Sequence, residues 1–176
     1  IGSGLNLAVS AANALAEALG SVARAGMNAV QTAVMLGVQY ERAKTSFEVM
    51  GGSKAAGARI MEDVYKITIG SPYTFNQLAP QAGVLLGYGI PNRQVSPILS
   101  RLGEVAGGDP EQLHRLVLAF SQVISHGGLM GQEARQFANV RIGSADFART
   151  MGIPEFQFRG EMEAGKVSPN VVIETI

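Results

Sequence analysis

The side chains able to do chemistry are few and widely spaced. The chain has 176 residues, with two histidines and no cysteine. The missing cysteines exclude a disulfide framework, a thiolate metal site and a cysteine nucleophile. His114 and His126 lie twelve positions apart, so on one continuous helix their directions differ by about 120° and they would not converge on a metal or a substrate. Glu62-Asp63 and the pair Glu161 and Glu163 supply carboxylates close in sequence, but neighbours at one and two positions do not face each other on a helix. A solvated helix face accounts for both pairs. The sequence contains no GxSxG elbow, GxGxxG fingerprint, GxxxxGK[ST] loop, HExxH pair or Ca²⁺-loop pattern. The expectation is a non-enzyme that needs no cofactor and holds no metal.

Charge points the same way. Fourteen basic residues balance fourteen acidic ones, leaving no global field to recruit nucleic acid or an anionic membrane. Arg135, Arg141, Arg149 and Arg159 gather late in the chain but alternate with Glu133, Asp146, Glu155, Glu161 and Glu163. That mixture lacks the clustered positive charge of a phosphate-tracking surface, so sequence-specific nucleic-acid binding is not expected. Apolar residues make up 47 % of the chain, aromatic ones only 6 %, and there is no Trp. The core should therefore be large and mainly aliphatic. The uncharged run from Ala25 to Tyr40 falls short of the roughly 20 apolar residues of a membrane-spanning helix. The longer one, Ile67 to Asn92, is broken by Pro72, Pro80 and Pro91. The chain opens at Ile1 and closes inside the apolar run Val171 to Ile176, which reads as a fragment of a longer protein.

The elements that carry these residues are helices, giving an all-α fold: a long Ala/Gly-rich N-terminal helix followed by a compact bundle of short helices. No proline interrupts Leu5 to Met50, and Gly51-Gly52-Ser53 is the first strong stop. The division expected is an extended helix over residues 1–50 and a compact helical domain over 51–176. A helix from Leu5 to Met50 would run roughly 69 Å, too long for a domain of this size to cover. Small residues recur every four positions, Ala8, Ala12, Ala16, Gly20 and then Ala25, Ala29, Ala33, Gly37. On a helix these form a ridge poor in side chains, suited to close approach of another helix.

Beyond Gly52, Ser71-Pro72, Asp109-Pro110 and Ser168-Pro169 each place a capping oxygen before a proline and read as helix starts. Ala56, Ile60, Val64 and Ile67 form one apolar stripe. Ile98, Leu99, Leu102, Val105 and Ala106 form a second, with Asn92 and Ser96 competing as its N-cap and Pro97 as a start or kink. The clearest helix opens at Asp109, and Leu113, Leu116, Val117, Phe120, Val123 and Ile124 keep the 3.6-residue spacing until Gly127-Gly128. The expected core is Ile60, Val64, Leu102, Leu113, Leu116, Val117, Phe120 and Ile124. Shorter helices are expected near Phe75 to Leu86, Gly131 to Ala138, Ala145 to Met151 and Pro154 to Ala164.

Five segments together go beyond helical composition: YERAKTSFEVMGG from Tyr40, SPYTFNQLAPQAGVLLGYGI from Ser71, ILSRLGEVAGGDPEQLHRLVLAFSQV from Ile98, GGLMGQEARQFANVRIG from Gly127 and MEAGKVSPNVVIETI from Met162. Read in order, this stretch from Tyr40 to Ile176 resembles the recurring domain of phage and prophage tail tape measure proteins. The run from Gly103 to Gln136 is its most specific part. Asn139 to Asp146 departs from the pattern, where Gly-Ile-Pro would be expected. The resemblance implies a structural protein that lies along the lumen of the tail tube, sets tail length during assembly and leaves through the tip ahead of the genome. The partners it implies are other copies of the chain, tail tube proteins, tail tip or baseplate hub proteins, tail assembly chaperones, and the host envelope during ejection. A reading from a different class is a secreted helical effector that inserts its Ala-rich helix into membranes. That reading calls for a longer uncharged span or a basic amphipathic face, and liposome binding separates the two.

Overall fold

The computed structural model describes residues 20–21, 24–28, 31 and 35–176, and among these it is helical and contains no strand. Two units are distinguished, residues 1–41 and 42–176. In the first, every described residue is helical and all but half-buried Gly20 are exposed. Within it Arg24 Nε donates to the Gly20 carbonyl at 3.1 Å, a contact one turn apart along the same helix.

The second unit is the compact one, and it begins ahead of the Gly51-Gly52 stop. Its first helix, α1 (residues 42–50), carries Phe47, which is 1 % exposed and belongs to the core. The next helix, α2 (Lys54–Thr68), crosses it at Gly57. A Cβ at that position would stand 2.6 Å from the Glu48 backbone nitrogen, so only glycine permits the two backbones to meet so closely. Ser53 caps α2, its Oγ accepting from the Ala56 N–H at 3.1 Å. The α2 face carrying Ile60, Met61 and Val64 is buried.

Helices α3 (Phe75–Gly87), α4 (Asn92–Val105) and α5 (Pro110–His126) follow, and α2, α3 and α4 pack against one another. The expected start at Ser71-Pro72 is instead a turn, in which the Ser71 Oγ accepts from the Tyr73 N–H at 3.3 Å. Thr74 takes the N-cap place because Gln77 reaches back to it, Oε1 accepting from the Thr74 N–H at 2.8 Å. Likewise neither Asn92 nor Ser96 caps α4. Pro91 holds that position, Asn92 opens the helix, and Asn92 Nδ2 is engaged with the Gly51 carbonyl at 3.2 Å. Pro97 lies inside α4, in the second turn. Asp109 does cap α5, its Oδ1 accepting from the N–H groups of Glu111 and Gln112 at 2.9 and 3.3 Å.

Helix α5 is the hinge of the architecture: it packs on α3 and α4 on one side and on α6 (Gly131–Ala138) and α9 (Pro169–Thr175) on the other. Leu113, Leu116, Val117, Ala119, Phe120 and Val123 are all buried along it. The remaining helices are α7 (Ser144–Met151) and α8 (Glu155–Glu163), with α7 packed on both α8 and α9. Ser168 caps α9, its Oγ accepting from the Val171 N–H at 3.5 Å.

One device links several of these helices. After α3, the N–H groups of Gly89 and Ile90 return to the carbonyls of Leu86 and Leu85, with Gly89 at φ 83°. After α7, Gly152 and Ile153 do the same to Arg149 and Ala148, with Gly152 at φ 66°. Both are Schellman stops, in which a left-handed residue ends the helix and the apolar residue after it turns into the core. Pro91 and Pro154 then cap the following helices. In the segment that lacks the Gly-Ile-Pro signal, Arg141 and Ile142 make the same bonds to Ala138 and Phe137, and Arg141 adopts φ 68°. Gly143 replaces proline as the next cap.

Candidate functional site

The residues that could have suggested catalysis are dispersed. His114 is exposed on α5, its Nδ1 3.1 Å from Gln81 Oε1, and His126 is exposed at the end of the same helix. Glu62 and Asp63 both turn to Lys66, at 2.8 and 3.7 Å. The Lys66 ammonium holds the Glu62 carboxyl below its ordinary range and is itself pushed up, chiefly by the hydrogen bond between them. Glu161 pairs with Lys166 at 2.9 Å and Glu163 with Arg159 at 2.8 Å. All of these pairs lie at the surface, where ion pairs contribute little to stability. Among the described residues no three His, Asp or Glu side chains gather as metal ligands.

Of the small-residue ridge, Gly20 is half-buried, and Ala25 and Gly37 are exposed; a Cβ on Gly37 would meet no atom within 4 Å. Ala8, Ala12, Ala16, Ala29 and Ala33 lie outside the described residues. The expected core residues Ile60, Val64, Leu102, Leu113, Leu116, Val117 and Phe120 are at most 3 % exposed, and Ile124 packs half-buried against them.

Three features of the compact unit were not singled out from sequence. The first is an aromatic cluster: Phe147 meets Phe137 edge to face at 6.1 Å and stacks on Phe158 at 5.5 Å. These rings come from α6, α7 and α8, so no single-helix periodicity could join them. The second is Tyr73, whose hydroxyl donates to the Gly103 carbonyl at 3.0 Å and accepts from the Gly108 N–H at 2.9 Å. Burial pushes this phenol above its ordinary pKa, against the opposing pull of the Gly108 N–H. The third is Glu133, 2 % exposed in the first turn of α6, with Oε2 hydrogen-bonded to nothing. Its place at a helix start would pass for a solvated acid favoured by the helix dipole.

The same region opens a groove of about 460 Å³ between α6, α7 and α8. Ala134, Ala138, Phe147, Phe158 and Met162 line it with apolar surface. Arg135, Ser144, Arg159 and Glu163 complete its wall. Apolar lining with charged edges suits the docking of a side chain or helix and offers no activated nucleophile.

A family model described as "Tape measure protein" matches residues 31–176. No curated protein matches the chain, and no solved structure does. The match takes in the whole compact unit and continues into the helix that precedes it, and on that extent the chain belongs to the tape measure protein family.

Proposed function

We propose that this chain is part of a ruler that lies along the lumen of a phage tail tube, fixes tail length while the tube polymerises around it, and leaves through the tail tip during genome ejection. The family match over residues 31–176 carries this reading, since the family is a structural component of phage tails. The N-terminal residues supply the extended element: those described are helical and exposed, and at about 1.5 Å per residue a helix converts residue number directly into length. The small-residue ridge then serves as a contact between copies running side by side. The compact unit is the local fold near one end of the ruler, contacting tube, tip or baseplate hub proteins, with assembly chaperones engaging the chain before the tube closes.

Among the described residues no helix is long and apolar enough to cross a membrane, and no specific observation favours the effector reading. The test is an in-frame deletion in the extended helical region of the parent chain. Tails seen by electron microscopy should shorten by about 1.5 Å for each residue removed. Tails of unchanged length would refute the ruler.

A further inference from the structure

Phe156 is 83 % exposed, the most exposed of the large apolar side chains in the described residues. It stands at the start of α8, two positions before Phe158, which is buried in the groove lining. On a helix Phe156, Arg159 and Glu163 are spaced i, i+3 and i+7 and share one face. The Arg159 and Glu163 side chains are 85 % and 61 % exposed and pair at 2.8 Å. Further along the same helix, a Cβ on exposed Gly160 would meet no atom within 4 Å, so another helix can approach there.

This face is self-complementary. If a second copy of α8 runs antiparallel to the first, positive Arg159 of each lies against negative Glu163 of the other, while each Phe156 is carried past the rim toward the other's groove. Arg135, which has no ion pair among the described residues, stands on the far wall and adds attraction for the incoming Glu163. A parallel arrangement would oppose like charges, so the charge order selects the two-fold one. We propose that α8 is a two-fold contact between copies of this chain, with Phe156 of each entering the groove of the other and Arg159 and Glu163 exchanging partners across the axis. One nine-residue helix per copy buries less than the roughly 1,200 Å² of a standard interface, so the dimer is weak on its own and is strengthened wherever copies are held together. The inference does not rest on the ruler reading.

Sedimentation velocity of the full chain over a concentration series tests it. The substitutions fall on exposed side chains, so the fold, followed by circular dichroism, should not change. Phe156→Ala should weaken association by roughly tenfold to a hundredfold, the range expected for losing a buried aromatic anchor. Arg159→Glu and Glu163→Arg should each abolish the contact alone, because like charges then face each other, and should associate when the two variants are mixed. Since the chain has no cysteine, Gly160→Cys near the axis should form a disulfide-linked dimer under mild oxidation. A chain that associates with Phe156→Ala unaffected and no recovery on mixing would overturn the α8 contact and leave association through the N-terminal residues standing. A chain that stays monomeric at every concentration would overturn both.

Discussion

Helices α3, α4 and α5 run 13, 14 and 17 residues, whereas α6, α7, α8 and α9 run only 8, 8, 9 and 7. The longer set, together with α2, buries mainly leucine, isoleucine, valine and alanine on continuous stripes. The shorter set closes around Phe137, Phe147 and Phe158, with helix ends fixed by left-handed stops. Helices of two turns are marginal alone, so their formation depends on tertiary contacts. Three or four turns let a stripe specify burial by repetition. Two turns leave room for a single anchor, and a ring fills more of the gap than an aliphatic side chain.

The largest expected effects come from removing the anchor of each half. Phe120 is fully buried at the centre of α5, which contacts both halves. Phe120→Ala should cost about 3–5 kcal/mol, a large share of a domain's stability. The expected result is an insoluble chain or a melting point lowered by many degrees. Phe147 is 1 % exposed and touches both other rings. Phe147→Ala should cost a similar amount, but its loss should be regional. Hydrogen exchange should show α6 to α9 opening while α2 to α5 keep their protection. Uniform loss of protection in both variants would mean that the two halves fold as one cooperative unit, and the contrast drawn above would fail.

A smaller effect is expected at the helix crossing that starts the unit. Gly57→Ala gains about 1 kcal/mol in helix propensity. It also places a methyl group 2.6 Å from the Glu48 nitrogen, where backbone must move, at a cost of about 1–3 kcal/mol. The net should be a lower melting point, together with faster exchange in residues 42–50. A higher melting point would show that α1 is loosely held. Asp109→Ala removes both N-cap hydrogen bonds of α5 and should cost about 0.5–2 kcal/mol. A melting curve at neutral pH reads it directly, and an unchanged midpoint would mean that packing alone fixes where α5 begins.

The two halves also differ in how far they could be read from sequence. The spacing of Leu113, Leu116, Val117 and Phe120 and the Asp109-Pro110 start place α5 to within a residue, because a long amphipathic helix repeats its signal. The start of α3 was misplaced at Ser71-Pro72, where a local cap motif competed with the reach of Gln77. Residues 42–50 look like the tail of a long solvent-facing helix, and only the fold reveals that Phe47 is inserted opposite Gly57. The groove was illegible for a different reason. Ala134, Phe147 and Phe158 meet from three helices, and nothing in their linear order says so.

The smallest effect tests the stops themselves. Gly152 and Arg141 occupy the same place in the same hydrogen-bonded motif, at φ 66° and 68°. An L side chain in this region brings Cβ against the following carbonyl, at a cost of about 1–2 kcal/mol, while glycine has no such contact but gives up more freedom on folding. Arg141 is exposed, so removing its side chain forfeits little packing. Arg141→Gly should therefore stabilise the chain by up to about 1 kcal/mol. Gly152→Ala, the reverse exchange at the matching stop, should destabilise it by about the same amount. Space does not confuse the comparison, since a Cβ on Gly152 would meet no atom within 4 Å. If both substitutions lower the melting point, the Arg141 side chain makes a contribution at this turn that backbone geometry does not account for. The short-helix half would then depend on something beyond its rings and its stops.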